Sequence, residues 1–135
     1  VMRRRPSTFY SLSIVTENDD TVLTSLRVMP AVTFLQRLVG LLGRKNLSDH
    51  KCLWLSPCSS VHTFGMRFSI DVIFLDKSMR VLGFSDAVPP NRIRVAPKGT
   101  ASVLELSEGN RRRTGINLDD QLNFDLMDSQ PNKQE

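Results

Sequence analysis

Residues 61–76 read VHTFGMRFSIDVIFLD, and the second half of this stretch is typical of a buried β-strand. Valine, isoleucine and phenylalanine cluster there, between a glycine upstream and a polar turn downstream. With a period of two, Ile70, Val72 and Phe74 share one face of the strand. The opposite face is also apolar except at Asp71, so the strand is expected to be buried on both sides.

Asp71 is therefore a carboxylate predicted to lie among aliphatic side chains. A buried charge needs hydrogen-bond partners or a shifted pKa. We predict that Asp71 is mostly buried and accepts hydrogen bonds from backbone N–H groups, His62 or an arginine. In sequence, the nearest polar candidates are His62, Thr63 and Arg67.

The same stretch resembles the signature of the family known as domain of unknown function one-nine-two. Three further pieces follow that family's pattern in the same order: RLVGLLGR at 37–44, VLEL at 103–106 with Gly109, and GINLDD at 115–120. The resemblance covers residues 26–126. It implies a small β-rich, barrel-like domain with one short helix and no established activity. One position departs, because the family usually has glycine where this chain has Asp119.

The length and charge of the chain set broad limits. A chain of 135 residues is expected to form one domain with a real core. No apolar run approaches the roughly 18 residues needed to span a membrane, and no apolar leader segment follows Arg3-Arg4-Arg5, so we expect a cytoplasmic protein. Residues 27–113 hold 14 Lys+Arg against 6 Asp+Glu. No recognition motif accompanies this basic surplus, so we do not expect a nucleic-acid partner.

The patterns predict an α+β, mainly β fold, a small barrel-like antiparallel or mixed sheet with one short N-terminal helix packed on it. The helix is predicted to begin at Pro30 and to continue through Val39. Residues 1–20 are predicted to be a flexible arm, residues 21–126 a single β-rich domain, and residues 127–135 a disordered polar tail.

Two groups of residues have the side chains of a zinc site and of a Cys-dependent active site. The residues His50, Cys52, Cys58 and His62 have the donor atoms of a zinc site, but five residues separate the cysteines, whereas zinc knuckles usually pair ligands two to four apart. We therefore assign no metal, and Cys52 is interpreted as a small buried hydrophobe. Alternatively, Cys58, as a reactive thiol, could form a Cys-dependent active site with His62 and Asp71. No oxyanion hole can be identified for it.

A third group of polar residues is predicted to line a pocket at the mouth of the barrel: His62, Met66, Arg67, Asp71 and Glu105. If Asp71 and Glu105 converge, they could bind a cation or share a proton. If each meets an arginine, they are ordinary buried ion pairs, and we favour this second interpretation.

The leading functional prediction is a non-catalytic binding or accessory domain with this polar pocket. The Cys-dependent enzyme is the alternative. We assign no catalytic residue and no cofactor, and we expect the partner to be a small ligand or another protein. The sequence predicts neither the ligand nor the oligomeric state.

Overall fold

A computed structural model describes residues 9–31 and 49–127. Nine strands and one short helix lie in these two ranges. The strands are β1 (Phe9–Val15), β2 (Thr21–Pro30), β3 (Lys51–Leu55), β4 (Ser60–His62), β5 (Ile70–Leu75), β6 (Val81–Val88), β7 (Ile93–Val95), β8 (Ser102–Ser107) and β9 (Gln121–Met127), and the helix is α1 (Asn110–Thr114).

The central strand of the sequence stretch, β5, lies inside a seven-stranded mixed sheet. The strand order is β6-β5-β8-β3-β2-β1-β9, and β4 pairs with β7 in a separate two-stranded sheet. All six residues of β5 are buried, as the apolar pattern on both of its faces predicts. The pair β2–β3 is parallel, and the other strand pairs are antiparallel.

Each face of β5 packs into its own hydrophobic core. The first core takes Ile73 and Leu75 together with buried side chains of β1, β2, β3, β8 and β9. The second core takes Ile70, Val72 and Phe74 together with residues of β3, β4 and β8. This explains why the strand contains almost only aliphatic and aromatic residues: neither face meets water.

The sheet curls but is not a closed barrel in the part of the chain that the structure describes. Its edge strands, β6 and β9, meet through one isolated antiparallel bridge, between Arg80 and Gln121. Three backbone hydrogen bonds tie the same place together, and they involve residues 79–81 and 119–122. The prediction of a mainly β fold with a mixed sheet is confirmed, and its description as barrel-like is corrected to a curled open sheet.

The helix observed in the described residues lies near the C-terminus, at Asn110–Thr114. The predicted N-terminal helix falls almost wholly on residues 32–48, outside the described residues. Part of the predicted arm belongs to the sheet, since β1 pairs along its length with β2 and β9. Among the helices in residues 9–31 and 49–127, none is both long enough and apolar enough to cross a membrane.

The turn before β9 accounts for the one departure from the family pattern. Asp119 has φ 68°, in the left-handed region that glycine adopts without steric cost. Aspartate is one of the few other residues that enter this region, because its short side chain can hydrogen-bond locally. The next residue stabilises the turn, since Asp120 accepts a hydrogen bond from the Asn117 N–H at 2.8 Å.

Candidate functional site

Asp71 lies on β5 opposite Leu106 of β8 and is 1% exposed. Its two carboxylate oxygens accept separate backbone hydrogen bonds. Oδ1 accepts from the N–H of Ala87 at 2.9 Å, and Oδ2 accepts from the N–H of Arg111 at 3.0 Å. The prediction of a buried carboxylate that accepts backbone N–H groups is confirmed. A single side chain thus joins the end of β6 to the first turn of α1.

Ala87, the first of these donors, has a strained backbone. Its φ is 51°, where a Cβ atom costs roughly 1–2 kcal/mol. The hydrogen bond to Asp71 offsets part of that cost because its acceptor is charged. Backbone strain of this kind persists only where the surroundings hold it, and it is frequent at functional sites.

Arg111 supplies the second donor, and its side chain is also buried. The guanidinium forms a two-point interaction with Asp86, with Nε–Oδ1 at 2.7 Å and Nη2–Oδ2 at 2.8 Å. Its Nη1 donates to the carbonyl of Ile116 at 2.8 Å. The guanidinium carbon lies 3.8 Å from the centre of the Phe84 ring, a cation–π contact. The arginine therefore binds the end of β6, the ring of Phe84 and the chain after α1 at once.

The Arg111–Asp86 pair fixes the charge of both partners. Hydrogen bonds from the guanidinium of Arg111 hold the pKa of Asp86 below its ordinary value. The same hydrogen bonds raise the pKa of Arg111, although its burial acts in the opposite direction. Both groups are consequently ionised at neutral pH.

A cleft of about 450 Å³ opens beside this network, between the end of β6 and the loop that enters α1. We call it the Asp71 cleft, and it is lined by Asp71, Asp86, Ala87, Glu108, Gly109, Arg112 and Arg113. Gly109, at φ 91°, lets the chain turn from β8 into α1. The Arg112 side chain is 83% exposed, and its Nη2 lies 3.8 Å from Asp86 Oδ2. Acidic and basic side chains thus share one small opening.

The model of the family DUF192, described as uncharacterised ACR, matches residues 14–124. The chain belongs to the DUF192 family. It is also 36% identical over 97 residues to the UPF0127 protein TK1120 of Thermococcus kodakarensis. That match covers 62% of this chain and 61% of the relative, so the chain spans about three-fifths of that protein's length.

Two solved structures share the fold. A proposed transcription regulator from Sinorhizobium meliloti superposes with a TM-score of 0.75 at 20% identity, over 90% of this chain and 98% of that one. A protein of unknown function from Novosphingobium aromaticivorans gives a TM-score of 0.71 at 21% identity, over 85% and 84% of the two chains. At these identities the likeness extends to the fold alone.

Three of the other residues predicted for the polar pocket, His62, Met66 and Arg67, lie away from Asp71. His62 ends β4, is exposed, and stacks on Phe64 with 5.5 Å between ring centroids. Met66 is buried in the second core, and Arg67 is exposed. None of these three lines the Asp71 cleft.

Glu105 lies on the opposite face of the sheet from Asp71. Along the β5–β8 pair, Glu105 faces Val72, and Asp71 faces Leu106. Because side chains alternate along a strand, the two carboxylates point to different cores. Of the five predicted pocket residues, Asp71 alone reaches the cleft.

The two cysteines lie in different surroundings. Cys52 is buried in the first core, which confirms its interpretation as a small hydrophobe, and burial raises the pKa of its thiol. Cys58 is half-buried, and its Sγ donates to the carbonyl of Ser60 at 3.0 Å. Within residues 9–31 and 49–127, no group of three or more histidine, cysteine or acidic side chains is arranged to hold a metal ion. In the same ranges no hydrogen bond links Cys58, His62 and Asp71.

This geometry predicts how fast each of the two cysteine thiols reacts. Cys58 should react with a maleimide at neutral pH much faster than Cys52, because Cys52 is inaccessible and mostly protonated. His62→Ala should leave the Cys58 rate within about twofold, since an imidazole that does not contact the thiol cannot activate it. Peptide mapping of time-quenched samples measures both rates. A drop of tenfold or more in the variant would instead favour the Cys-dependent enzyme.

A second pocket, of about 510 Å³, lies between β1, β3, β9 and the turn before β6. Its aromatic residues are Tyr10, Trp54 and Phe124, and the last two make an edge-to-face contact with ring centroids 5.3 Å apart. None of the residues predicted for a barrel mouth lines it. This pocket therefore combines three aromatic rings with polar residues, among them Gln121 and Asn123.

Sequence reasoning missed Arg111, Asp86 and Ala87. The run Arg111-Arg112-Arg113 looks like a solvated basic surface, and nothing in it distinguishes the first arginine from its neighbours. Gly115, which follows the run, was the available signal, because glycine is common just after the C-terminus of a helix.

Proposed function

We propose that this DUF192 domain is a non-catalytic binding module whose ligand site is the Asp71 cleft. The ligand class that suits the cleft best is a small zwitterion of the amino-acid type. Asp86 and Glu108 offer carboxylates to an ammonium group, and Arg112 offers a guanidinium to a carboxylate. The volume of about 450 Å³ is in the range typical of small-molecule sites.

The observation that carries this proposal is the network beneath the cleft. Asp71 and Arg111 together hold the strained Ala87, the carboxylate of Asp86 and the start of α1 in one arrangement. A site whose groups are fixed before binding loses less conformational entropy when the ligand arrives. The cleft floor is built in this way, while Glu108 and Arg112 at its rim remain exposed.

The balance of charge supports a zwitterion over a simple ion. The three acids that line the cleft, Asp71, Asp86 and Glu108, are matched in number by Arg112 and Arg113 in the lining and by the buried Arg111 beneath it. A site without a charge surplus does not attract either sign of ion from a distance. A ligand with both charges can instead replace the long Arg112–Asp86 contact of 3.8 Å with two shorter ones.

The occupied oxygens of Asp71 support binding over catalysis. Each oxygen already accepts a backbone hydrogen bond. A general base must come within hydrogen-bond reach of the substrate's proton, and Asp71 is only 1% exposed. In this arrangement Asp71 acts as a structural anchor, and the exposed groups around the cleft make the contacts to the ligand.

Titration of the ¹⁵N-labelled protein tests the proposal. Pools of L-amino acids should shift the amide resonances of Ala87, Gly109 and Arg111 in a saturable way. Isocaproate and isoamylamine, which carry the two charges of leucine separately, should not. Arg112→Ser should weaken binding at least about tenfold, since a hydrogen bond between charged groups is lost.

Lys77→Ser is the matched control, because it removes an exposed cation at the far end of β5 and should leave binding unchanged. The proposal fails if no pool shifts the three amides. It also fails if Arg112→Ser and Lys77→Ser bind equally well.

A further inference from the structure

The second pocket, of about 510 Å³, adjoins the first core, since the buried core residue Leu122 is part of its lining. The rings of Phe124 and Trp54 lie on the same side of the sheet as that core. Phe124 is directly opposite Leu12, Trp54 is directly opposite Leu104, and both leucines belong to the first core. Side chains directly opposite each other in a sheet share one face. We call this opening the Trp54 pocket.

The aromatic rings of the Trp54 pocket form one continuous wall. The Phe124 ring meets the Trp54 ring edge to face with centroids 5.3 Å apart, and it meets the Tyr10 ring in a tilted contact at 6.2 Å. These are the distances of rings in direct contact. All three residues are half-buried and pack against the first core. Each ring therefore has one part fixed by the protein and another part left for an occupant of the pocket.

Two polar groups of this wall have no hydrogen-bond partner in the described parts of the chain. The indole N–H of Trp54 is buried, and no acceptor there reaches it. The side-chain hydroxyl of Tyr10 forms no hydrogen bond within the same residues. A tryptophan N–H usually has a partner when it is buried. An occupant that carries an oxygen atom would supply the acceptor that the protein does not.

The lining favours an uncharged occupant. Among the described residues that line the pocket, Asp125 alone carries a charge. It follows Phe124 on β9 and is exposed, so its carboxylate points to the other side of the strand from the Phe124 ring. An aromatic cage for a cation must surround its ligand with ring faces. The rings of Trp54 and Phe124 touch each other instead, so no cation fits between them.

We propose that the Trp54 pocket binds an uncharged aromatic molecule that carries a hydroxyl or carbonyl oxygen. The ring of the ligand packs on the aromatic wall, and its oxygen accepts from the Trp54 N–H and meets the Tyr10 hydroxyl. Met79 also lines the pocket, and its thioether is a favourable neighbour for an aromatic ring. The volume of about 510 Å³ is in the range of small-molecule sites. This site is separate from the Asp71 cleft and does not depend on it.

Titration of the ¹⁵N-labelled full chain with p-cresol tests this inference. Trp54 is the only tryptophan in the chain, so its indole N–H gives a single cross-peak that reports on the pocket. The phenol group of p-cresol is uncharged at neutral pH. The probe should shift that cross-peak in a saturable way at concentrations up to about 10 mM. 4-Methylcyclohexanol, which has the same hydroxyl and methyl groups but no aromatic ring, should bind at least about fivefold more weakly.

Two variants each remove one feature of the wall. Phe124→Leu removes a ring but keeps an apolar side chain, and it should weaken p-cresol binding about fivefold. Tyr10→Phe removes only the hydroxyl and should weaken binding about threefold. The matched controls are Phe64→Leu, which removes an exposed ring elsewhere, and Ser11→Ala, which removes a hydroxyl from the opposite face of β1. Both controls should bind as the parent does, and circular dichroism and the urea midpoint establish that each variant is folded.

The inference is overturned if p-cresol does not shift the Trp54 cross-peak, or if 4-methylcyclohexanol binds as tightly as p-cresol. It is also overturned if choline binds as tightly as p-cresol, since the occupant would then be a cation, or if Phe124→Leu and Phe64→Leu bind equally well. p-Cresol should leave the amide resonances of Ala87 and Arg111 in place. Binding at the Trp54 pocket and binding at the Asp71 cleft are thus read from different resonances, so the two proposals can fail separately.

Discussion

Replacing Asp71 with alanine should lower the free energy of unfolding by about 2–4 kcal/mol, because one buried and one part-buried backbone donor lose their acceptor together. The donors are the N–H groups of Ala87 and Arg111. The change also removes one of the two carboxylates that stabilise the charge of Arg111, the other being that of Asp86. Asp71→Asn should cost less, about 1–3 kcal/mol, since its carbonyl oxygen keeps one of the two N–H partners.

Urea unfolding followed by circular dichroism measures these changes. Asp125→Ala is the matched control, because that aspartate is exposed on β9, and its loss should change the free energy by no more than about 0.5 kcal/mol. If Asp71→Ala and Asp125→Ala unfold at the same urea concentration, the role of Asp71 as a buried anchor is wrong.

Replacing Arg111 with methionine should cost about 2–3 kcal/mol, because a part-buried ion pair and a buried hydrogen bond to a carbonyl are lost together. The change deletes the two-point interaction with Asp86, the hydrogen bond to the carbonyl of Ile116 and the contact with the Phe84 ring. Arg111→Lys should recover only part of the loss, since an ammonium group cannot make the two parallel hydrogen bonds. Arg112→Ala, at an 83% exposed side chain, is the control and should be nearly neutral in the same urea titrations.

The same pair predicts how stability depends on pH. The pKa of Asp86 is lowered in the folded state. Its contribution to the free energy of unfolding is therefore fully present above the ordinary carboxyl pKa of about 3.9. That contribution is lost as pH falls through the lower, folded-state value. In the Asp86→Asn variant, the free energy of unfolding should therefore fall less steeply as the pH is lowered below about 4. An unchanged slope below about pH 4 in urea titrations would contradict this assignment.

The sequence predicts well those features that a local pattern determines. The buried β5 follows from the apolar pattern on both of its faces. Asp71 is identifiable as a buried anchor because a carboxylate in a strand buried on both faces needs hydrogen-bond donors.

Features that depend on distant contacts could not be predicted in this way. His62 is close to Asp71 in sequence, yet the donors that reach Asp71 come from 16 and 40 positions away. Glu105 is grouped with Asp71 in the sequence because both interrupt apolar faces, but the register of β5 against β8 sends them to opposite cores. That register is a property of the assembled sheet, and no single strand encodes it.

The pairing of β1 with β9 has a consequence for the order in which the molecule assembles. A hydrogen bond in this pair joins Ser11 to Asp125 across 114 positions of the chain. Bringing such distant segments together costs loop-closure entropy before any contact compensates for it. During synthesis β1 therefore waits for β9 before the edge of β1 that faces away from β2 is covered. We expect slow folding, in the millisecond-to-second range of proteins dominated by non-local pairing.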